Sequence, residues 1–302
     1  MKNEIIAEIG SVHDGSFGNA INIIRLAKSC GANAVKFQYH ISEEETTIDA
    51  PSPHYFKSES RWDYFKRISF SKEQWSVLFN EAKKNKLKFI VSPFSIKAAK
   101  NLMDTGIDCF KIASGEVTNT PMLEFINSLN KPVILSTGMS NWNEITKAVN
   151  IFDKIKSKLV VMQCSSIYPC GEKDVGLNLL SEIKKRYKCI VGFSDHTLGY
   201  AASISAATLG AKVIEKHFTF NKNMYGSDSA HAMNPDQFKL FTKEVFSAWE
   251  MIKNPVNKDE ISNYRKMRNV FQKSIFIKKF IPKDSKIKFA HLEFKKPGDG
   301  IS

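Results

Sequence analysis

Residues 189–220 read CIVGFSDHTLGYAASISAATLGAKVIEKHFTF. An apolar run ends on the polar triplet Ser194, Asp195 and His196, an alanine-rich helical stretch follows and closes on Gly210, and a second apolar run ends on Glu215, Lys216 and His217. Strand, helix and strand in about 30 residues make a βαβ unit, whose two strands lie parallel in one sheet. Such sheets bind ligands beyond the carboxyl ends of their strands. Both polar triplets fall there.

The same rhythm runs outward through the chain. Strand candidates are IIAEIG (5–10), AVKFQY (34–39), KFIVSPF (88–94), CFKIASG (109–115), PVILSTG (132–138), LVVMQCSS (159–166), CIVGFSDH (189–196) and KVIEKHFTF (212–220). Between them lie amphipathic patterns such as NAINIIRLAKSCG, SKEQWSVLFNEAKK and NWNEITKAVNIFDKI, several ending on Gly or Asn as a helix C-terminus should. Eight alternations over about 250 residues predict an α/β chain folded as a (β/α)₈ barrel. The barrel is expected over residues 1–270, with a shorter C-terminal segment over 271–302. A doubly wound open sheet fits less well, because SVHDGSFG (11–18) lacks the G-x-G-x-x-G spacing of a dinucleotide turn.

Composition narrows the function. At 302 residues and 42% hydrophobic content, the chain can bury a large core. No stretch approaches the roughly 20 apolar residues of a membrane span, and MKNEIIAEIG lacks the apolar region of a signal peptide, so a cytoplasmic protein without a membrane partner is expected. The five cysteines are odd in number and include no Cys-x-x-Cys pair, which favours reduced, buried thiols over a disulfide frame or a zinc cluster. The net charge of +13 invites a nucleic-acid partner. Most lysines, however, lie on helix faces such as EIKKRYK, and no RNP, helix-turn-helix or zinc-finger pattern accompanies them. No nucleic-acid partner is expected, and a positive field equally attracts a small phosphorylated substrate.

The strand ends carry Glu8; Lys36 and Gln38; Ser92; Lys111, Ser114 and Glu116; Ser136; Ser166 and Tyr168; Ser194, Asp195 and His196; and Glu215, Lys216 and His217. Lys36 and Lys111 each sit inside an apolar strand, where an unpaired ammonium is expensive to bury. Glu8, Glu116 and Glu215 are candidate ion-pair partners. Two lysines converging with the hydroxyls of Ser92, Ser114, Ser136 and Ser194 also suit a bound phosphate. His196 and His217, at the ends of neighbouring strands, suit a shared divalent metal such as Mn²⁺, Fe²⁺, Co²⁺ or Zn²⁺. His13, His40, His54, His231 and His291 have no neighbouring ligand in the sequence and read as loop or tail residues, although His13 and His40 are near strand ends and could line the pocket.

In order, IAEIGSVHDGSFGNA, GANAVKFQ, KIASGEVTNTPMLE, KPVILSTGMS, YP, GFSDHTLG and GAKVIEKHFTF resemble the sialic acid synthases, which condense phosphoenolpyruvate with an N-acyl hexosamine to make nonulosonic acids. The resemblance covers residues 4 to about 302. It implies a (β/α)₈ barrel and a divalent metal, usually manganese, on His196 and His217. It implies a phosphoenolpyruvate site on Lys36, Ser92, Lys111, Ser114, Ser136 and Ser194. Gln38, Glu116, Tyr168 and Asp228 fall on the sugar side, with Glu8 close to the metal and the reacting carbons. Ser92 stands where many relatives carry threonine, and Ser166 where asparagine is common. It further implies a homodimer, with a small antifreeze-like C-terminal domain reaching the partner's site. KSIFIKKFIPKDSKIKFAHLEFKKPGDGIS (273–302) matches about the first half of that domain, and Lys296 aligns with the family's sugar-clasping arginine.

Two rivals stand beside this reading. A lysine inside a barrel strand is also how a Schiff-base aldolase begins, although the histidine pair argues against it. A non-catalytic anion-binding protein would explain the positive charge without turnover.

Overall fold

Eight short runs rich in valine, isoleucine and phenylalanine form eight parallel strands. In the computed structural model, which describes residues 3–52, 59–168, 170–226 and 228–302, these are β1 (Glu4–Gly10), β2 (Ala34–Tyr39), β3 (Lys88–Pro93), β4 (Cys109–Ile112), β5 (Val133–Ser136), β6 (Leu159–Cys164), β7 (Ile190–Asp195) and β8 (Val213–His217). Each pairs with its sequence neighbours, and β8 returns to β1, closing the barrel. All eight expected strands are present in the expected order. The open-sheet alternative is excluded.

Helices follow the strands: α1 (Phe17–Ser29), α2 (Ser42–Glu45), α3 (Arg61–Arg67), α4 (Lys72–Lys84), α5 (Ile96–Thr105), α6 (Thr120–Ser128), α7 (Trp142–Ile151), α8 (Leu179–Tyr187), α9 (Ala201–Thr208) and α10 (Pro235–Lys253). Their starts are set by local chemistry. Ser71 and Gln74 form a reciprocal capping box at α4, and Asn141 and Glu144 do the same at α7. The extra short helices α2 and α3 lie in the long connection between β2 and α4. None of the described helices is long and apolar enough to cross a membrane, and the five cysteines are free thiols.

Alternation along the strands decides what faces inward. Ile6, Ala34, Ile90, Cys109, Ile134, Val160, Met162 and Val213 form one apolar cluster that fills the barrel's lower interior. The other parity, including Ile5, Val35, Phe89, Phe110, Val133, Val161, Phe193 and Ile214, packs in the larger cluster with the helices. Two residues on from the interior plug, on the same strand faces, stand Glu8, Lys36, Ser92, Lys111, Ser136 and Glu215. The apolar layer is a floor, and the ionisable layer is laid directly on it.

The chain divides into two compact units, Met1–Lys253 and Asn254–Ser302, ahead of the 270/271 boundary expected from the sequence. α10 is the last element with a full apolar face, burying Phe238, Phe241, Val245 and Trp249. The second unit holds α11 (Arg265–Phe271) and an antiparallel pair, β9 (Ser274–Ile277) with β10 (Leu292–Lys295).

Candidate active site

Above the floor opens a cavity of about 300 Å³. Its base is a buried four-membered ion cluster. Lys111 Nζ donates to Glu215 Oε1 and Oε2 at 2.8 and 2.9 Å, and Lys36 Nζ reaches Glu8 Oε1 at 2.9 Å and Glu215 Oε1 at 3.6 Å. Register explains the pairing, since Glu8 is the strand partner of Lys36. Ser194, the strand partner of Glu215, donates to Glu215 Oε1 at 3.1 Å.

Burial and charge pull these groups apart. Burial raises the Glu8 carboxyl above its ordinary range, and the neighbouring Lys36 only partly offsets this. For Glu215, burial acts in the same direction, but Lys111 and Lys36 outweigh it and hold the carboxyl down to about 2. Burial pulls Lys36 down while Glu215 and Glu8 more than restore it, leaving it raised. Burial wins at Lys111, which is lowered. The cluster therefore holds one firm carboxylate and one carboxyl poised to take a proton.

Several polar atoms of the lining lack a partner among the described residues: Glu8 Oε2, Ser136 Oγ and His217 Nδ1. Buried polar atoms are normally satisfied, so their convergence marks a place for a ligand. Gly138 makes room beside them. It holds φ +35°, and a Cβ there would come within 2.1 Å of Ser114 Oγ and 2.5 Å of Ser166 Oγ.

The mouth carries the two histidines. Their ring centroids lie 5.5 Å apart, and the Tyr168 ring lies against His196, tilted by 31° at a centroid distance of 4.2 Å. His196 Nδ1 donates to the Ser165 carbonyl, which fixes the tautomer and leaves the Nε2 lone pair to accept from the Tyr168 hydroxyl at 3.2 Å. Burial pushes His196 down to about 4, with His217 adding to the shift, so the ring stays neutral. Behind it, Lys216 Nζ pairs with Asp195 Oδ2 at 3.0 Å and donates to the carbonyls of Thr197 and Gly199. Asp195 accepts from the Thr197 N–H and from Ser203 Oγ. These contacts fasten the turn that carries His196.

A neutral imidazole with an inward lone pair, beside a second histidine with an orphaned nitrogen, fits a divalent cation. No group of three or more His, Cys, Asp or Glu side chains suited to a metal occurs among the described residues. The protein thus offers two imidazoles, and a bound cation would complete its shell with substrate and water.

Of the residues singled out in the sequence, Glu8, Lys36, Gln38, Lys111, Ser114, Ser136, Tyr168, Ser194, His196, His217 and Asp228 line this one cavity. Ser92, although on the inward face, is 1% exposed and outside the lining. Ser166 borders Gly138 but also lies outside the lining. Glu116 sits in a 3₁₀ turn, accepts from Asn119 Nδ2 at 2.7 Å and is raised by burial, again outside the lining. Lys296 belongs to the second unit, where its ammonium lies 5.2 Å from the Phe271 ring. His54 and Pro169 of the YP pair are outside the described residues. Sequence reasoning missed Arg61, Phe65, Phe94, Ala113 and Cys164 as lining residues; of His13 and His40, both expected near strand ends where they could line the pocket, His40 does. Only His40, one residue past a strand end, carried a signal.

The NeuB family model matches residues 23–257. An uncharacterized protein of Methanocaldococcus jannaschii is 36% identical over 98% of this chain and 86% of its own length. The N,N'-diacetyllegionaminic acid synthase of Campylobacter jejuni is 34% identical over 100% of this chain and 92% of its own. The crystal structure of the N-acetylneuraminic acid synthetase from Leptospira borgpetersenii, in complex with citrate, superposes with a TM-score of 0.77 at 28% identity, covering 90% of this chain and 93% of that one.

Proposed function

Given that this chain belongs to the NeuB family, we propose that it condenses phosphoenolpyruvate with an N-acyl hexosamine to form a nonulosonic acid and phosphate. The observation that carries this reading is one cavity holding two buried lysines at its base and a neutral histidine beside a second imidazole at its mouth. The C. jejuni relative supports an acceptor bearing two acylamino groups, and N-acetylmannosamine and mannose are its alternatives.

The residues divide the work. Lys36 and Lys111 would receive the phosphate and carboxylate, with Ser114, Ser136 and Ser194 orienting oxygens. An incoming anion competes with Glu8 and Glu215 for those ammonium groups. Glu8, already raised by burial, can take up a proton and release Lys36. Its unpartnered Oε2 then holds that proton where the reaction needs one. As C3 of phosphoenolpyruvate bonds to the aldehyde carbon, the aldehyde oxygen takes a proton from Glu8. The resulting carboxylate accepts a proton from the water that adds at C2, so one carboxyl serves both transfers; the bond from C2 to the phosphate oxygen then breaks as the C2 carbonyl forms, and the departing phosphate takes the C2 hydroxyl proton. When bound between His196 and His217, a divalent metal, manganese by the resemblance, supplies Lewis-acid polarisation of the aldehyde. The preorganised lysines stabilise negative charge throughout.

The lowered Lys111 favours a second reading, a Schiff-base aldolase, which needs a neutral amine. Both Glu215 oxygens hold that nitrogen as a donor, which supports the synthase instead. Family membership also carries the expectations of a cytoplasmic homodimer and of a second unit related to the antifreeze-like domain, with Lys296 in the sugar-clasping role. Incubating phosphoenolpyruvate with a panel of hexosamines, scored by phosphate release and product mass, tests the proposal. Absence of turnover across the panel with Mn²⁺ present would reject it.

A further inference from the structure

His40 stands one residue beyond β2, is 5% exposed and takes no part in the scheme above. Its ring is sandwiched between two phenyl rings, stacked on Phe65 at 3.6 Å and 9° and on Phe94 at 4.2 Å and 16°. Nδ1 faces Glu45 Oε1 and Oε2 at 2.9 and 3.1 Å, and Nε2 lies 3.1 Å from Gln38 Oε1. Gln38 in turn donates from Nε2 to Glu8 Oε1 at 3.1 Å.

Carboxylate and amide oxygens accept and do not donate, so both ring nitrogens facing them must carry hydrogen. Turning the Gln38 amide over would place its carbonyl against a carboxyl oxygen that already accepts from Lys36. The observed orientation avoids that clash of acceptors. The surroundings agree with a cation: Glu45 pairs with the ring, Glu116 lies within electrostatic reach, and two aromatic faces cover it. Opposing it are His13, which burial keeps neutral, and Arg61, which acts on Glu116.

We propose that His40 is an imidazolium that acts as a positioning residue, locking the Gln38 amide so that it offers only N–H to the cavity and to Glu8. Before substrate enters, Oε1 of Glu8 then has two donors, Lys36 and Gln38; Gln38 keeps its hold when Lys36 is released, and Oε2 is the oxygen left for the reactants. The remaining Gln38 N–H selects a carbonyl or hydroxyl oxygen on the acceptor. The kinetic part of this inference rests on the synthase reading; the protonation part does not.

Histidine-labelled ¹⁵N NMR of the full chain at neutral pH tests the protonation directly, with the His40 signals assigned by their loss in His40→Phe. Both nitrogens are expected in the protonated range, in contrast to His13, whose Nδ1 accepts from the Gly15 N–H. Glu45→Gln, which preserves the ring and its stack, is expected to abolish that signature. His40→Phe and Glu45→Gln are expected to lower kcat about tenfold while KM for phosphoenolpyruvate stays within about twofold. His40→Asn, which can still donate to Gln38, recovers part of the loss. A ring nitrogen without hydrogen in the wild type, or wild-type kcat in Glu45→Gln, overturns the proposal. Should no hexosamine be turned over by the wild type, the synthase reading falls while the NMR result still decides the charge of His40.

Discussion

Glu215 gives both carboxylate oxygens to Lys111, and Lys36 reaches one of the same oxygens at 3.6 Å. Two buried cations thus share one firm anion. Glu215→Gln leaves that positive charge uncompensated and is expected to cost about 3–5 kcal/mol of stability. Phosphoenolpyruvate supplies replacement charge, so it should raise the denaturation midpoint of this variant more than that of the wild type. Equal shifts in urea titrations would show that the anion does not bind at the lysines.

Chelation with excess EDTA is expected to abolish phosphate release, and Mn²⁺ to restore it. In His217→Ala, restoration should need at least tenfold more metal, because losing one of two imidazoles removes half of the protein's donor set. Undiminished turnover in EDTA would show that the histidine pair serves another purpose.

Borohydride added during turnover should trap no pyruvyl adduct on Lys36 or Lys111, since both amines are held as ammonium donors by carboxylates. Peptide mass spectrometry reads the result. An adduct on either lysine would favour the aldolase.

Lys216→Met strands the buried Asp195 carboxylate and unfastens the turn behind His196. A loss of about 3–5 kcal/mol is expected. Adding Asp195→Asn should recover part of it, because no unpaired charge then remains. Chemical denaturation of the single and double variants checks both statements.

His13 is 2% exposed, and its pKa is lowered by burial to about 3. In the unfolded chain a histidine titrates near 6.5. Between these values the unfolded state binds a proton that the folded state refuses, so the stability present above about pH 6.5 falls as pH drops toward 3, by about 1.4 kcal/mol per unit from this residue. Urea titrations at several pH values should show a shallower slope in His13→Gln.

The strands were readable because each is short, β-branched and closed by polar residues, a pattern with few structural alternatives. The ionisable layer was readable for the same reason: Lys36 and Lys111 interrupt apolar runs where only an inward, partnered position is tolerable. α2 and α3 were not. SEEE and RWDYFKR are too short to show helical periodicity, and nothing local says that Arg61 and Phe65 reach the cavity from a connection. Ser92 shares its neighbours' inward parity and is the strand partner of Gln38, yet whether its side chain reaches the open space is a tertiary property, and it stays buried outside the lining. The locked His196 turn was equally hidden, because Lys216 and Asp195 meet only once β7 and β8 are side by side.

The groups read here as handling phosphoenolpyruvate are rooted in strands, whereas Arg61 and Phe65 enter from the long excursion after β2. Part of the cavity wall therefore stands on a piece of the chain separable from the strands that carry the lysines. Substituting Arg61 and Phe65 should reshape that wall while leaving the strand-borne lysines in place, which makes the excursion a natural cassette for re-engineering.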